Sequence, residues 1–181
     1  MKQKHKIQLL KDEKWQNYEA VFSSFADYGY GMEIIHKQDS IYVMIKKVRL
    51  KERKVIKYTE KFWTSNNPSV KAWGIIENDR LIAGIETKID NDKNPRLYVH
   101  LLWVNEEYRR QGIASALMDK AKARAKKENL RAVHLHTWSC NEHAIAFYLS
   151  EGFKLIGFDS SRFSNEDIEK YNVPLLLEYR F

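Results

Sequence analysis

A mixed α/β sheet is the architecture this sequence predicts, on three observations. The run "VKAWGIIENDRLIAGIETKI" reads as two strands around Asn78-Asp79, residues that tolerate the positive φ of a tight hairpin. A strand-helix-strand-helix-strand run follows it, the pattern of an α/β sheet rather than of a sandwich or bundle. No internal repeat, low-complexity tract or Gly/Ser linker divides the 181 residues, which are most simply one domain with a real core.

Taken in order, "EKWQNYEAVFSSFADY" (13–28) has apolar residues near helical spacing at Trp15, Tyr18, Val21, Phe22 and Phe25, and predicts a helix ended by Gly29 and Gly31. "SIYVMIKKVRL" is β-branched and predicts a strand, whereas "RKVIKYTEKFWTS" is ambiguous between helix and strand. After the hairpin, "DNDKNP" (90–95) is a turn and "RLYVHLLWV" (96–104) a long buried strand. A helix over 110–128 puts Ile113, Ala114, Leu117, Met118 and Ala121 on one face, with Asn129 as a left-handed cap. "RAVHLHTW" (131–138) alternates His134 and His136 with Val133 and Leu135, as a strand does. "NEHAIAFYLSEGF" is a short helix from an Asn141 N-cap to a Gly152 stop. "FKLIGF" and "VPLLLEYRF" are strands, with Pro174 at the start of the last, where its missing donor does least harm.

Composition narrows the function classes. Apolar residues make up 44% and charged residues 30%, an ordinary globular balance. No stretch approaches the roughly 18 apolar residues of a membrane span. The first residues, "MKQKHKIQLLKDEKW", lack the apolar core and cleavage site of a signal peptide. The single cysteine, Cys140, cannot form an internal disulfide and suits a reducing cytoplasm. The usual zinc-ligand spacings are absent, and no metal is expected. The net charge is +7, and the basic residues gather in 2–14, 46–61 and 109–131. Solvated faces are the plain reading, a polyphosphate ligand comes next and nucleic acid third; no helix-turn-helix, zinc-finger or RNA-recognition signature points to a nucleic-acid partner.

The chemistry concentrates in "EEYRRQGIASALMDKAKAR" (106–124), where two arginines, a glutamine and a glycine stand at a helix start. A helix N-terminus already favours anions, so added arginines there make sense around an anionic ligand. Gly112 lets the backbone approach a ligand closely and Ala114 keeps the next turn small. Backbone donors with Arg109 and Arg110 could cradle a pyrophosphate. The motif is neither the dinucleotide fingerprint nor the nucleotide-triphosphate loop, and a basic capped helix start is the plain alternative.

The segment "LLWVNEEYRRQGIASALM", with Arg109, Gly112 and Ala114 in Arg/Gln-x-x-Gly-x-Gly/Ala positions, then Asn141 and "AFYLSEGF", resembles the GNAT superfamily of acyl-CoA-dependent N-acyltransferases. The likeness covers about residues 70–158 of this sequence. It implies a central mixed sheet flanked by helices and splayed at the acyl-CoA site, with acetyl-CoA as co-substrate. The pyrophosphate would rest on the amides of Arg109, Arg110, Gln111, Gly112, Ile113 and Ala114. Leu102, Trp103 and Val104 would offer backbone bonds to the pantetheine arm, and a free N–H there could stabilise the oxyanion. Asn141, Ala144, Phe147 and Tyr148 would complete the cofactor side, Asn141 doubling as helix cap and Phe147 as a packing residue. Tyr148 would give a proton to the departing thiolate, since a phenol near pKa 10 stays protonated at neutral pH. His100 stands where the family's central strand commonly carries a carboxylate and is the candidate base, with Glu86, His136 and water as rivals. Cys140 has no part in direct transfer.

By this resemblance the chain is one acyltransferase domain over 1–181, with 70–158 as the acetyl-CoA-binding core and 1–65 and 159–181 as acceptor-side parts. Those flanks, "ADYGYGMEIIHKQDSIYVMIKKV" with "KYTEKFW" and "GFDSSRFSNEDIEKYNVPLLLEY", resemble streptothricin-acetyltransferase-type members. The expected activity is acetyl transfer to a primary amine in a ternary complex, by a monomer or homodimer. Glu33, Asp159, Glu166, Asp167 and Glu169 could hold a small cationic acceptor or form a solvated loop. A protein N-terminus or lysine is the rival acceptor, and a non-catalytic acyl-CoA-binding domain the rival class.

Overall fold

The computed structural model describes residues 5–63, 65, 67–91 and 94–181. The chain forms β1 (Gln8–Leu9), β2 (Tyr18–Lys37), β3 (Ser40–Phe62), β4 (Val70–Glu77), β5 (Arg80–Asp90), β6 (Arg96–Val104), α1 (Ile113–Lys127), β7 (Ala132–Trp138), α2 (Glu142–Ser150), β8 (Lys154–Phe158) and β9 (Pro174–Arg180). One mixed sheet runs in the order β1-β4-β5-β6-β7-β9-β8, and β2 and β3 form a second, two-stranded sheet. This is the expected α/β class. No helix among the described residues is long and apolar enough to cross a membrane.

Two compact units share the chain: Met1–Ser23 with Lys57–Leu135 and Glu178–Phe181, and Ser24–Ile56 with His136–Leu177. In the first unit, Asn78 (φ 49°) and Asp79 (φ 56°) make the left-handed turn that joins β4 to β5. Strand β5 runs antiparallel to both β4 and β6, and β6 parallel to β7. Helix α1 buries Ile113, Leu117, Met118 and Ala121, as its spacing predicts, and packs on β5 and β6. It also buries Arg124, whose guanidinium donates to the Thr87 carbonyl at 3.0 Å, Thr87 Oγ1 at 2.8 Å and the Ser69 carbonyl at 2.7 Å. Asn129 (φ 53°) ends the helix in the left-handed conformation. Trp15, Phe62, Trp63, Leu101 and Trp103 share a core under the sheet. Each such side chain contributes roughly 1.5–3 kcal/mol of burial.

The helix expected over 13–28 does not form. Only Glu13–Trp15 turn helically, and β2 starts at Tyr18. The reason is pairing: aromatic and β-branched residues suit a strand when a partner is available, and Phe22 stacks on Tyr58 of β3 with ring centroids 4.7 Å apart. Val21 and Phe25, members of the apparent helical stripe, are about half exposed (48% and 49%). The ambiguous segment after Leu50 continues β3 to Phe62. Of that segment Thr64 lies outside the described residues, as do Asp92 and Lys93 of the expected turn and Met1–Lys4 of the basic first segment.

In the second unit Gly29 and Gly31 lie within β2 rather than ending a helix. A Cβ on Gly29 would come within 2.9 Å of the Tyr171 ring, so glycine is required there by close approach. Helix α2 begins at the expected Asn141 cap, whose Oδ1 accepts from the Ala144 N–H at 3.2 Å, and stops before Gly152 (φ 87°). Met32, Ile145, Val173 and Leu175 form the core. Glu142, buried at the head of α2, accepts from the Asp27 and Tyr28 N–H groups at 3.3 Å and pairs with Lys47 at 2.7 Å.

Candidate active site

The first unit carries a backbone cradle and an ionisable cluster. Strand β6 leaves its parallel neighbour early: registered pairing with β7 covers Leu97–Val133 and Tyr98–His134, and beyond it Val99–Val104 has no registered β7 partner among the described residues. On its other edge β6 stays paired to β5, with Leu102 opposite Ile85, Trp103 opposite Gly84 and Val104 opposite Ala83. The Trp103 side chain points to the core and donates its indole N–H to the Val21 carbonyl at 2.8 Å.

After β6, a helical turn at Glu106–Tyr108 leads into Arg109 and Arg110, and Arg110 sits in the left-handed region at φ 62°. Gly112 follows at φ 80° as the α1 N-cap, with no side-chain cap bond. The first intrahelical bond is the Ala116 N–H to the Gly112 carbonyl, 3.1 Å. The N–H groups of Ile113, Ala114 and Ser115 thus open the helix without a protein acceptor among the described residues. A Cβ built on Gly112 would meet nothing within 4 Å, so open space adjoins the glycine at the head of the helix. Such a row of N–H groups at a helix start fits a diphosphate.

The two arginines differ. Arg109 turns inward, its Nε donating to the Val104 carbonyl at 3.1 Å and Nη1 to the Ser23 carbonyl at 2.7 Å. It clamps the end of β6 to β2, and its guanidinium holds the turn rather than reaching away from it. Arg110 and Gln111 are exposed, and Gln111 Nε2 donates to the Glu107 carbonyl at 3.4 Å.

The ionisable cluster sits at a bulge. Glu86 pairs with Leu101 and Thr87 with Val99, so His100 is the extra residue of β6, and bulges commonly re-aim a side chain beside a site. His100 Nδ1 lies 3.4 Å from Glu86 Oε1, and Nε2 lies 3.9 Å from Glu60 Oε1. The Glu86 side chain is only 5% exposed, that of His100 36%. The other Glu86 oxygen, Oε2, accepts from the Trp63 N–H at 2.6 Å. The Glu86 carboxylate beside the imidazole raises the His100 pKa above its ordinary value, against the opposing effect of burial. Glu60 and Trp63 were not legible as site residues: they lie in the ambiguous 53–65 stretch, and only long-range packing brings them to β6. The one sequence signal was inward alternation of Glu60 with Phe62 on β3.

In the second unit α2 carries Asn141, Ala144, Phe147 and Tyr148. The Asn141 carbonyl oxygen caps the helix through the Ala144 amide. Tyr148 sits 5.3 Å from the Phe147 ring and 5.9 Å from that of Phe153. Asp167 is buried and closes its own turn, accepting from the Phe163 and Ser164 N–H groups at 2.9 and 3.2 Å, while Glu166 pairs with Lys170. Burial pushes the Cys140 thiol up, away from thiolate character. No group of His, Cys, Asp and Glu among the described residues is arranged to hold a metal.

A strand whose pairing with its parallel neighbour ends before a glycine-headed helix agrees with what the resemblance to acyl-CoA-dependent transferases implies. The chain belongs to the acetyltransferase (GNAT) family, whose sequence profile matches residues 34–153, and it is an acetyltransferase. It is similar in structure to nourseothricin acetyltransferase (TM-score 0.70, 19% identity), over 97% of this chain and 98% of that one. A Bacillus anthracis str. Ames protein assigned as a streptothricin acetyltransferase, solved in complex with acetyl coenzyme A, is similar to the same degree (TM-score 0.70, 19% identity), over 98% of this chain and 100% of that one. In sequence this chain is 30% identical to N-alpha-acetyltransferase 30 of Schizosaccharomyces pombe over 99 residues, 54% of this chain and 65% of the relative.

Proposed function

We propose that the protein is an acetyl-CoA-dependent N-acetyltransferase that moves an acetyl group directly to a primary amine, with a small cationic, streptothricin-type molecule as acceptor. The observation that carries the cofactor assignment is the row of N–H groups at Ile113, Ala114 and Ser115 beneath a bare Gly112. Acetyl-CoA supplies an activated thioester; the chain's residues hold it and manage protons. Arg109 fixes the turn, the amides of 110–115 receive the pyrophosphate, and the main chain of Leu102–Val104 offers bonds to the pantetheine arm. His100 Nε2 removes the first proton of the ammonium, which frees the nitrogen lone pair to form the N–C bond as the C–S bond breaks. Following the resemblance, Tyr148 gives its proton to the departing sulfur, and the second proton of the nitrogen goes to solvent, which restores the phenol. The acceptor class is supported by similarity to streptothricin- and nourseothricin-acetylating enzymes along almost the whole chain, flanks included.

The second reading is a peptide N-terminus as acceptor, favoured by the sequence identity to N-alpha-acetyltransferase 30. Both readings are tested by following thiol release from acetyl-CoA against streptothricins, polyamines and N-terminal peptides. Turnover of streptothricin alone supports the first; turnover of peptides alone replaces it with the second; saturable coenzyme A binding without turnover of any amine overturns both.

A further inference from the structure

We propose that Glu86 is a positioning residue for the transfer: by facing Nδ1 of His100 with a carboxylate oxygen, it keeps the ring proton on Nδ1 and leaves Nε2 as the proton acceptor. This rests on the reading of His100 as the base. The geometry is that of a carboxylate orienting an imidazole, the arrangement that sets the tautomer in hydrolase triads. Glu86 is held from behind. Its Oε2 receives the Trp63 N–H at 2.6 Å, and Trp63 occupies a left-handed conformation (φ 54°) that turns that N–H inward. The remaining oxygen, Oε1, faces Nδ1 at 3.4 Å, so a neutral His100 is favoured with its proton on Nδ1. Nε2, on the opposite side of the ring, has Glu60 at 3.9 Å, beyond hydrogen-bond distance, so Glu60 does not claim the Nε2 lone pair or proton. The charged groups that face the ring are Glu86 and Lys88 on β5 and Glu60 on β3, with Tyr98 of β6 edge-on at 6.0 Å. The two carboxylates outweigh the lysine, and the imidazole pKa moves up.

Glu86→Gln separates this role from a packing role. The Trp63 N–H needs an acceptor, so the glutamine turns its carbonyl oxygen to Trp63 and its NH2 to His100. That NH2 can only donate, which forces the Nδ1 lone pair toward it and the proton onto Nε2. In the full-length protein with labelled histidine, nitrogen NMR reads the tautomer without any acceptor, the His100 signals being assigned from their loss in His100→Gln. The expected result is a switch from Nδ1–H to Nε2–H, with kcat on the acceptor found in the amine screen falling about 10²-fold or more. The acidic limb of kcat/KM moves to lower pH, and coenzyme A affinity and Tm stay near wild type. Glu60→Gln, which faces Nε2, should leave the tautomer unchanged. An unchanged tautomer in Glu86→Gln overturns the proposal, whether or not kcat falls. Wild-type turnover by His100→Gln instead removes the base reading beneath it, and the two failures are thereby told apart.

Discussion

Gly112→Ala tests the cradle most directly, because its costs to folding and to binding come from different directions. At φ 80° the backbone is in the left-handed region, where a Cβ costs roughly 1–2 kcal/mol. The added methyl meets no protein atom within 4 Å, so no packing penalty adds to the strain. In a chain of this length each kcal/mol lowers Tm by roughly 2–4 °C, which puts the expected loss at about 2–8 °C. Binding should suffer more than folding. The methyl would stand in open space at the head of α1, the turn to which the diphosphate is assigned. Coenzyme A affinity should fall at least tenfold, about 1.4 kcal/mol or more. Calorimetric titration at a temperature well below both transitions measures this, and scanning calorimetry measures Tm. A variant with the expected Tm loss and unchanged affinity would refute the assignment of the diphosphate to this turn.

Arg109→Ala removes two donors to the Val104 and Ser23 carbonyls and should cost about 1–3 kcal/mol of stability. Arg110→Ala, at an exposed position, should stay within about 0.5 kcal/mol, and urea unfolding of the pair compares them. Tyr148→Phe should lower kcat by about 10²-fold while coenzyme A affinity holds, measured by steady-state kinetics beside titration. For His100 the folded pKa is raised, so its contact with Glu86 stabilises below the ordinary value of about 6.5 and is lost as pH rises through the folded pKa. Activity runs the other way, rising as the ring loses its proton, and opposite slopes of stability and kcat/KM across that window are the expected result. Burial alone would raise the Glu142 pKa, but Lys47 and the Tyr28 and Asp27 N–H groups outweigh it and hold it below its usual value. Its contribution is present above about pH 4.3 and is lost as pH falls through the lower folded value, so Glu142→Gln should flatten the acid limb of the stability curve.

By itself the sequence determined what short-range chemistry determines. Asn78-Asp79, Asn129, Gly152 and the Asn141 cap set their turns through local backbone preference, so the hairpin and both helices stand where their residues put them. The glycine-headed turn was legible for the same reason, since Gly112 and the start of α1 are neighbours in the chain. Residues 13–28 carry helical spacing yet run into strand β2, because helical spacing and strand alternation overlap in so aromatic a stretch; the partner strand β3 decides, and pairing is a long-range property. The inward turn of Arg109 was hidden likewise: its acceptors at Val104 and Ser23 are defined only once β2 and β6 lie side by side. Only the tertiary structure could join Trp63, Glu86, His100 and Glu60, because a bulge in β6 and the end of β3 bring together groups from three distant parts of the chain. Motifs follow from local conformation, whereas the partner of an ionisable side chain, and so its tautomer and pKa, follows from packing.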